Sequence, residues 1–160
     1  MGTTSSARGA PRTFRVSRAA TIAAPADRLY GIIADYRAGH PRILPEPYFS
    51  NLVVDEGGVG AGTRFHFDAR AFGRVETVHG VAEEPAPGRE LVERYPATGV
   101  VTTFTVEPRG DGATEVTITT LMPRKPGLGG LLEQWTMPVL LGRLFADELG
   151  RLARVAGAGS

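Results

Sequence analysis

The 160-residue chain contains no cysteine. Disulfides, thiol catalysis and thiolate metal sites are therefore excluded. Lysine is almost missing as well, Lys125 being the only one, and arginine supplies the rest of 18 basic residues against 17 acidic ones. A net charge of +1 makes no electrostatic case for nucleic acid or an anionic membrane as partner. No apolar run approaches the ~20 residues that a membrane span needs. The opening MGTTSSARGAPR has no apolar core of the kind a signal peptide carries. No G-x-S-x-G is present, and GGVGAGT at 57–63 lacks the Lys-Ser/Thr ending of a phosphate loop. The expectation is a soluble, cytoplasmic protein: residues 1–12 a disordered tail, 13–156 a single domain, and 157–160 a frayed end.

What is present is mostly alternation. In TFRVSRAATI, residues 13–22, Phe14, Val16, Ala20 and Ile22 share one face of a half-buried strand, and Arg18 falls in the same apolar phase. APADRLYGIIADY follows. Pro25 suits a first helical turn, and Leu29, Ile32, Ile33 and Tyr36 recur at helical spacing. From Pro47 onward the pattern is strands: YFSNLVVDE; a hairpin of TRFHFDAR and RVETVHGVAEE around Ala71–Phe72–Gly73; the short ELVERY; and a hairpin of VVTTFTVEP and TEVTITTLM. In the last pair Val100, Thr102, Phe104 and Val106 face one way with Val116, Ile118 and Thr120, and Thr103, Thr105, Thr117 and Thr119 face the other. A long amphipathic helix runs from Gly127 to about Val155, with Leu128, Leu131, Leu132, Trp135, Val139, Leu140, Leu144, Phe145, Leu149 and Leu152 as its stripe. Pro138 inside it predicts a kink or a split.

The predicted architecture is α+β: a curved antiparallel sheet of about seven strands wrapped around a long C-terminal helix, with one or two short helices between strands 1 and 2. Where sheet and helix diverge, a gap lined by Phe, Val and Trp has the character of a small-molecule pocket, although patterning cannot separate a hollow core from a packed one. IAAPADRLYGIIADY, the meander and GLLEQWTMPVLLGRLFADELGRLARV together resemble the START / birch-pollen-allergen-like superfamily, also called SRPBCC or the polyketide cyclase/dehydrase-like group. The resemblance covers residues 13–156. It implies a helix-grip fold with an apolar cavity between sheet and C-terminal helix, and it brings no family-wide catalytic motif.

Two functions follow from that expectation. One is binding or transport of a hydrophobic small molecule, and the other is a polyketide cyclase or dehydratase acting in the same cavity; no cofactor is expected. The ligand-binding candidates are Tyr36, His40, Ile43, Leu44, Phe65, Phe67, His79, Phe104 and Trp135. His79 is the candidate catalytic group. If the 63–70 / 74–81 hairpin pairs in an even register, His79 shares the apolar face with Phe65, Phe67, Val75 and Thr77, and a one-residue bulge would turn it outward. His66 alternates with Arg64, Asp68 and Arg70 on a solvated face. With histidines scattered at 40, 66 and 79, no metal site is expected. Arg18 either finds a carboxylate, points into the cavity, or snorkels out. Tyr30, Tyr36, Tyr48 and Tyr95 could each offer a phenol, and the facing of Glu93 and Tyr95 is ambiguous. In GHPRILP, residues 39–45, Ile43 and Leu44 sit between two prolines, with His40 placed at the rim of the gap. They form either a core cap, with His40 in water, or a gate over a ligand entrance.

Overall fold

A computed structural model describes residues 12–157. The expected tail at 1–12 lies outside the described residues but for Arg12, and the frayed end lies outside them from 158 onward. The element order is β1 (Thr13–Ile22), α1 (Ala26–Ala34), a single 3-10 turn (His40–Arg42), β2 (Phe49–Glu56), β3 (Arg64–Ala71), β4 (Arg74–Ala86), β5 (Glu90–Tyr95), β6 (Val100–Gly110), β7 (Ala113–Pro123) and α2 (Gly127–Gly157).

All seven strands form one antiparallel sheet in the order β1-β7-β6-β5-β4-β3-β2. After β1, the segment carrying α1 crosses to the far edge, and the chain then meanders back until β7 lies beside β1. The inner face carries Val16, Ile22, Phe65, Phe67, Leu91, Phe104, Val106, Val116 and Ile118, all buried. It packs against α1 and the C-terminal half of α2, whose buried residues include Leu144, Phe145, Leu149 and Leu152. This is the helix-grip arrangement.

Three sequence expectations change here. First, β3 and β4 are joined by a two-residue turn, Phe72–Gly73, with φ of 50° and 75°. Positive φ at both central residues is the mark of a type I′ turn, whose twist matches that of the flanking strands. The register therefore pairs His66 with His79 and Phe65 with Gly80, an odd rather than an even sum. His79 consequently faces outward and is exposed. Second, α2 runs unbroken through Pro138, which removes only the bond to the carbonyl of Gln134 and does not split the helix. Third, the sheet is covered only by the second half of that helix. Leu128, Leu131, Leu132, Trp135 and Val139 all stay exposed, Trp135 by 74%. The first half is apolar on two sides, so its periodicity could not say which side turns inward.

Candidate functional site

Between the inner sheet face and α2 lies a cavity of about 210 Å³. Phe65 and Phe67 of β3, Tyr95 of β5, Phe104 of β6, and Leu140, Leu141, Leu144 and Phe145 of α2 make most of its apolar wall. Leu44, just past the 3-10 turn, and Arg70, an exposed residue near the end of β3, also line it. Thr102 and Thr120, directly opposed on β6 and β7, bond to each other at 2.8 Å and present little free polarity.

Within this apolar wall, three ionisable groups converge: His40, Glu93 and Glu148, exposed by only 3%, 3% and 4%. The chain places each one by a local device. Beyond α1, the Asp35 carboxylate accepts the backbone N–H groups of Arg37 and Ala38 at 3.0 and 3.1 Å, forming an Asx-type turn. Backbone bonds from Tyr36 to Gly58 and from His40 to Asp35 then fix the chain so that Tyr36 and His40 both point inward. The two rings stack at 4.7 Å, Phe65 stacks on the other face of Tyr36 at 4.6 Å, and Phe104 meets His40 edge-on at 5.7 Å.

His40 Nδ1 lies 2.7 Å from the carbonyl of Ile33, which can only accept. Nδ1 therefore carries a proton, and in the neutral ring Nε2 is left with a free lone pair. That Nε2 lies 3.6 Å from Glu93 Oε1, too far for a hydrogen bond but close enough for a strong charge interaction when the ring is protonated.

Glu93 is held from both sides. Tyr36 donates its phenol to Oε1 at 2.7 Å and Tyr95 donates to Oε2 at 2.5 Å. Burial, and then the carboxylate itself, push both phenols well above their usual range, so they remain proton donors. Glu148 differs from Glu93. It lies on the apolar stripe of α2, lines the cavity, and has no hydrogen bond to a described residue. Burial first, and then repulsion from Glu93 and Asp147, raise its carboxyl well above the ordinary range and favour the neutral acid. A carboxyl group that accepts two phenol hydrogen bonds beside one whose neutral form burial favours is an arrangement suited to proton transfer.

Of the residues expected from sequence, His40, Leu44, Phe65, Phe67 and Phe104 line the cavity. Tyr36 and Ile43 are fully buried one layer behind it. His79 and Trp135 lie outside it, for the reasons of turn and helix face given above. His40 is neither at a rim nor in water, because its ring is clamped by Tyr36 and Phe104. Among the described residues Arg18 has no carboxylate partner, and it does not line the cavity. Its Nε donates to the carbonyl of Gly142 at 3.2 Å, bridging β1 to α2. Tyr30 bonds Glu84 at 2.7 Å away from the cavity, and Tyr48 is exposed.

Glu93 and Glu148 were missed as site residues. Glu148 carried a signal, since an acidic residue sits in phase with Leu144, Phe145, Leu149 and Leu152. Glu93 lies in phase with Leu91 and Tyr95, but β5 is too short for its pattern to say which face is inner. The histidines are less scattered than their spacing suggested. Asp55, His66 and His79 come together on the outer face of the sheet, their donor atoms all within 4.8 Å of one another.

Residues 13–157 match the family model described as polyketide cyclase / dehydrase and lipid transport. The chain belongs to that family. Among solved structures, this family member is similar to the KanY protein (ms6282), with 25% identity over 91% of this chain and 99% of that one and a TM-score of 0.79. It is similar in fold to TTHA0849 from Thermus thermophilus, at 22% identity, 92% and 99% coverage and a TM-score of 0.75. The Zhui aromatase/cyclase from Streptomyces sp. R1128 shares the fold at 21% identity, 93% and 99% coverage and a TM-score of 0.66. No curated protein matches the chain.

Proposed function

We propose that the chain binds a hydrophobic small molecule bearing an oxygen function in the cavity between the sheet and α2. The observation that carries this reading is the convergence of His40, Glu93 and Glu148 inside an otherwise apolar wall. A space of 210 Å³ is somewhat larger than the ~150 Å³ apolar cavity that accepts benzene, so an aromatic ring with substituents is a suitable size. Burying carboxyl groups costs stability unless they are paired or serve a purpose. A pure hydrocarbon would leave Glu148 without a partner, whereas a ligand carbonyl or hydroxyl can bond to it.

The test is a thermal-shift series with hydroxylated and carbonyl-bearing one- and two-ring aromatics, set against the parent hydrocarbons. A ligand at about 100 times its Kd adds roughly 2.7 kcal/mol. The oxygenated members should stabilise the protein more than their hydrocarbons, and Leu141→Trp, which fills the cavity from α2, should abolish the effect. Equal shifts in the filled variant would refute the site.

The neutral acid beside the held carboxylate favours a second reading, a cyclase or dehydratase. In a dehydration, Glu148 would protonate the departing hydroxyl of a β-hydroxyketone, which leaves as water. His40 Nε2 would take the proton from the α-carbon as the double bond forms. Removing a general acid costs about 10²–10⁴ in rate. Glu148→Gln should therefore lower kcat on a β-hydroxyketone substrate by at least a hundredfold, with little change in KM. Unchanged turnover in that variant would dismiss Glu148 as the acid.

A further inference from the structure

On the opposite face of the sheet from the cavity, the cross-strand pair His66 and His79 stands beside Asp55. His66 Nδ1 lies 3.0 Å from both carboxylate oxygens of Asp55, and the two imidazole rings are 5.2 Å apart. We infer that Asp55, His66 and His79 form a surface site for a divalent transition cation, zinc foremost.

The placement follows from two irregularities in the chain. The two-residue turn at Phe72–Gly73 sets the register that brings His79 directly across from His66. In β2, Val54 pairs with Phe65 and Glu56 pairs with Arg64, so Asp55 is an extra residue in a β-bulge. A bulge leaves its residue out of the ladder and re-aims the side chain. Here it turns Asp55 toward His66.

Donors ~2.0–2.2 Å from a tetrahedral zinc ion are about 3.3 Å apart, so a cluster already within 4.8 Å needs only a side-chain rotation of the exposed His79. Two imidazoles and one carboxylate suit zinc, copper or nickel, whereas magnesium prefers all-oxygen sites. The fourth position would be left to water. The neighbouring carboxylate, Asp68, is already engaged by Asn51 and Thr77 and does not compete. A bound ion would tie the edge strand β2 to β3 and β4. His66 lies between Phe65 and Phe67, which line the cavity on the other face, so the ion would stiffen that wall.

The chain is well suited to a clean test. It has no cysteine and its only other histidine is the buried His40, so a zinc site with two imidazoles outside the cavity can use only this pair. The experiment is calorimetric titration of the full chain, without a polyhistidine tag, with zinc chloride. One ion per chain is expected to bind, raising the melting temperature, and magnesium should give no such effect. His66→Ala and His79→Ala should each weaken binding at least about tenfold, and the double variant should abolish it. Because the surface variants could perturb the hairpin, ring-proton NMR on the unmodified chain provides a second readout, with zinc shifting His66 and His79 but not His40. No zinc binding, or undiminished binding in the double variant, would overturn the assignment, as would zinc leaving both rings unshifted.

Discussion

At the scale of single residues, what marks the cavity is how its few polar groups are treated. Glu93 receives two phenol protons, while Glu148 receives none from the described residues. The raised carboxyl of Glu148 makes stability depend on pH in a definite direction. Below its ordinary value of 4.5 it is neutral in both the folded and unfolded states, and its contribution is intact. As pH rises above that value the unfolded chain ionises first, so the folded state loses ground until the buried group titrates too, with a limiting slope of about 1.4 kcal/mol per pH unit. Glu148→Gln lacks this loss. Melting curves from pH 4 upward should show the variant gaining on the parent as pH rises; parallel curves would rule out the raised carboxyl. Gly80 shows a different residue-level constraint. A Cβ there would lie 2.5 Å from Cζ of Phe65 and 3.0 Å from Cε1 of Tyr95. Phe65 is buried and stacked on Tyr36, so it has little room to give way. Gly80→Ala should cost about 1–3 kcal/mol, read by denaturant unfolding.

At the scale of elements, the hairpin β3–β4 decides which histidine faces the cavity. Its turn uses Phe72 at φ 50°, a conformation in which Phe has no advantage and Asn does. Phe72 is also exposed, so little packing would be lost by replacing it. Phe72→Asn should raise the melting temperature by an amount equivalent to some tenths of a kcal/mol and leave the register unchanged. This turn also explains what the sequence could and could not reveal. The strands themselves were legible, because Phe65 and Phe67, or Val116 and Ile118, alternate cleanly with polar neighbours. Phe-Gly is not one of the dipeptides that announce a two-residue turn, and the three-residue alternative reverses the facing of His79 by one step. Ile43 and Leu44 were legible as an apolar knuckle beside the gap, with His40 in front of it. The depth of His40 was not, because it depends on Asp35 closing the turn before it and on backbone bonds to Gly58. The expected role of Trp135 failed at the same scale. Leu128, Leu131, Leu132 and Trp135 recur with helical spacing, yet that spacing describes only the helix and not where the sheet ends beneath it.

At the scale of the whole molecule, the sheet divides into a firm half and a looser half. β1, β7 and β6 are paired without interruption over most of their length, and β1 is bound to α2 through Arg18 and Gly142. β2, by contrast, is an edge strand with two register shifts, and β4 and β5 shift once. The cavity borders β3 from Phe65 to Ala71 but reaches β7 only at Thr120 and Met122, so the inner face of β3 meets empty space where most of β7, at Val116 and Ile118, has packed side chains. Local opening free energies follow pairing and buried contacts. Amide exchange should therefore be slowest in β1, β6, β7 and the α2 segment around Leu149 and Leu152, and faster in β2, β3 and the exposed first half of α2. The cavity reading adds a sharper expectation. A ligand touching Phe65 and Phe67 should slow exchange in β3 with little effect on β7, whose bonds are already protected. Zinc at Asp55, His66 and His79 should slow β2 and β3 from the opposite face of the same strand. If either addition slows all seven strands equally, the two halves open as one cooperative unit, and the division of the sheet by its cavity is wrong.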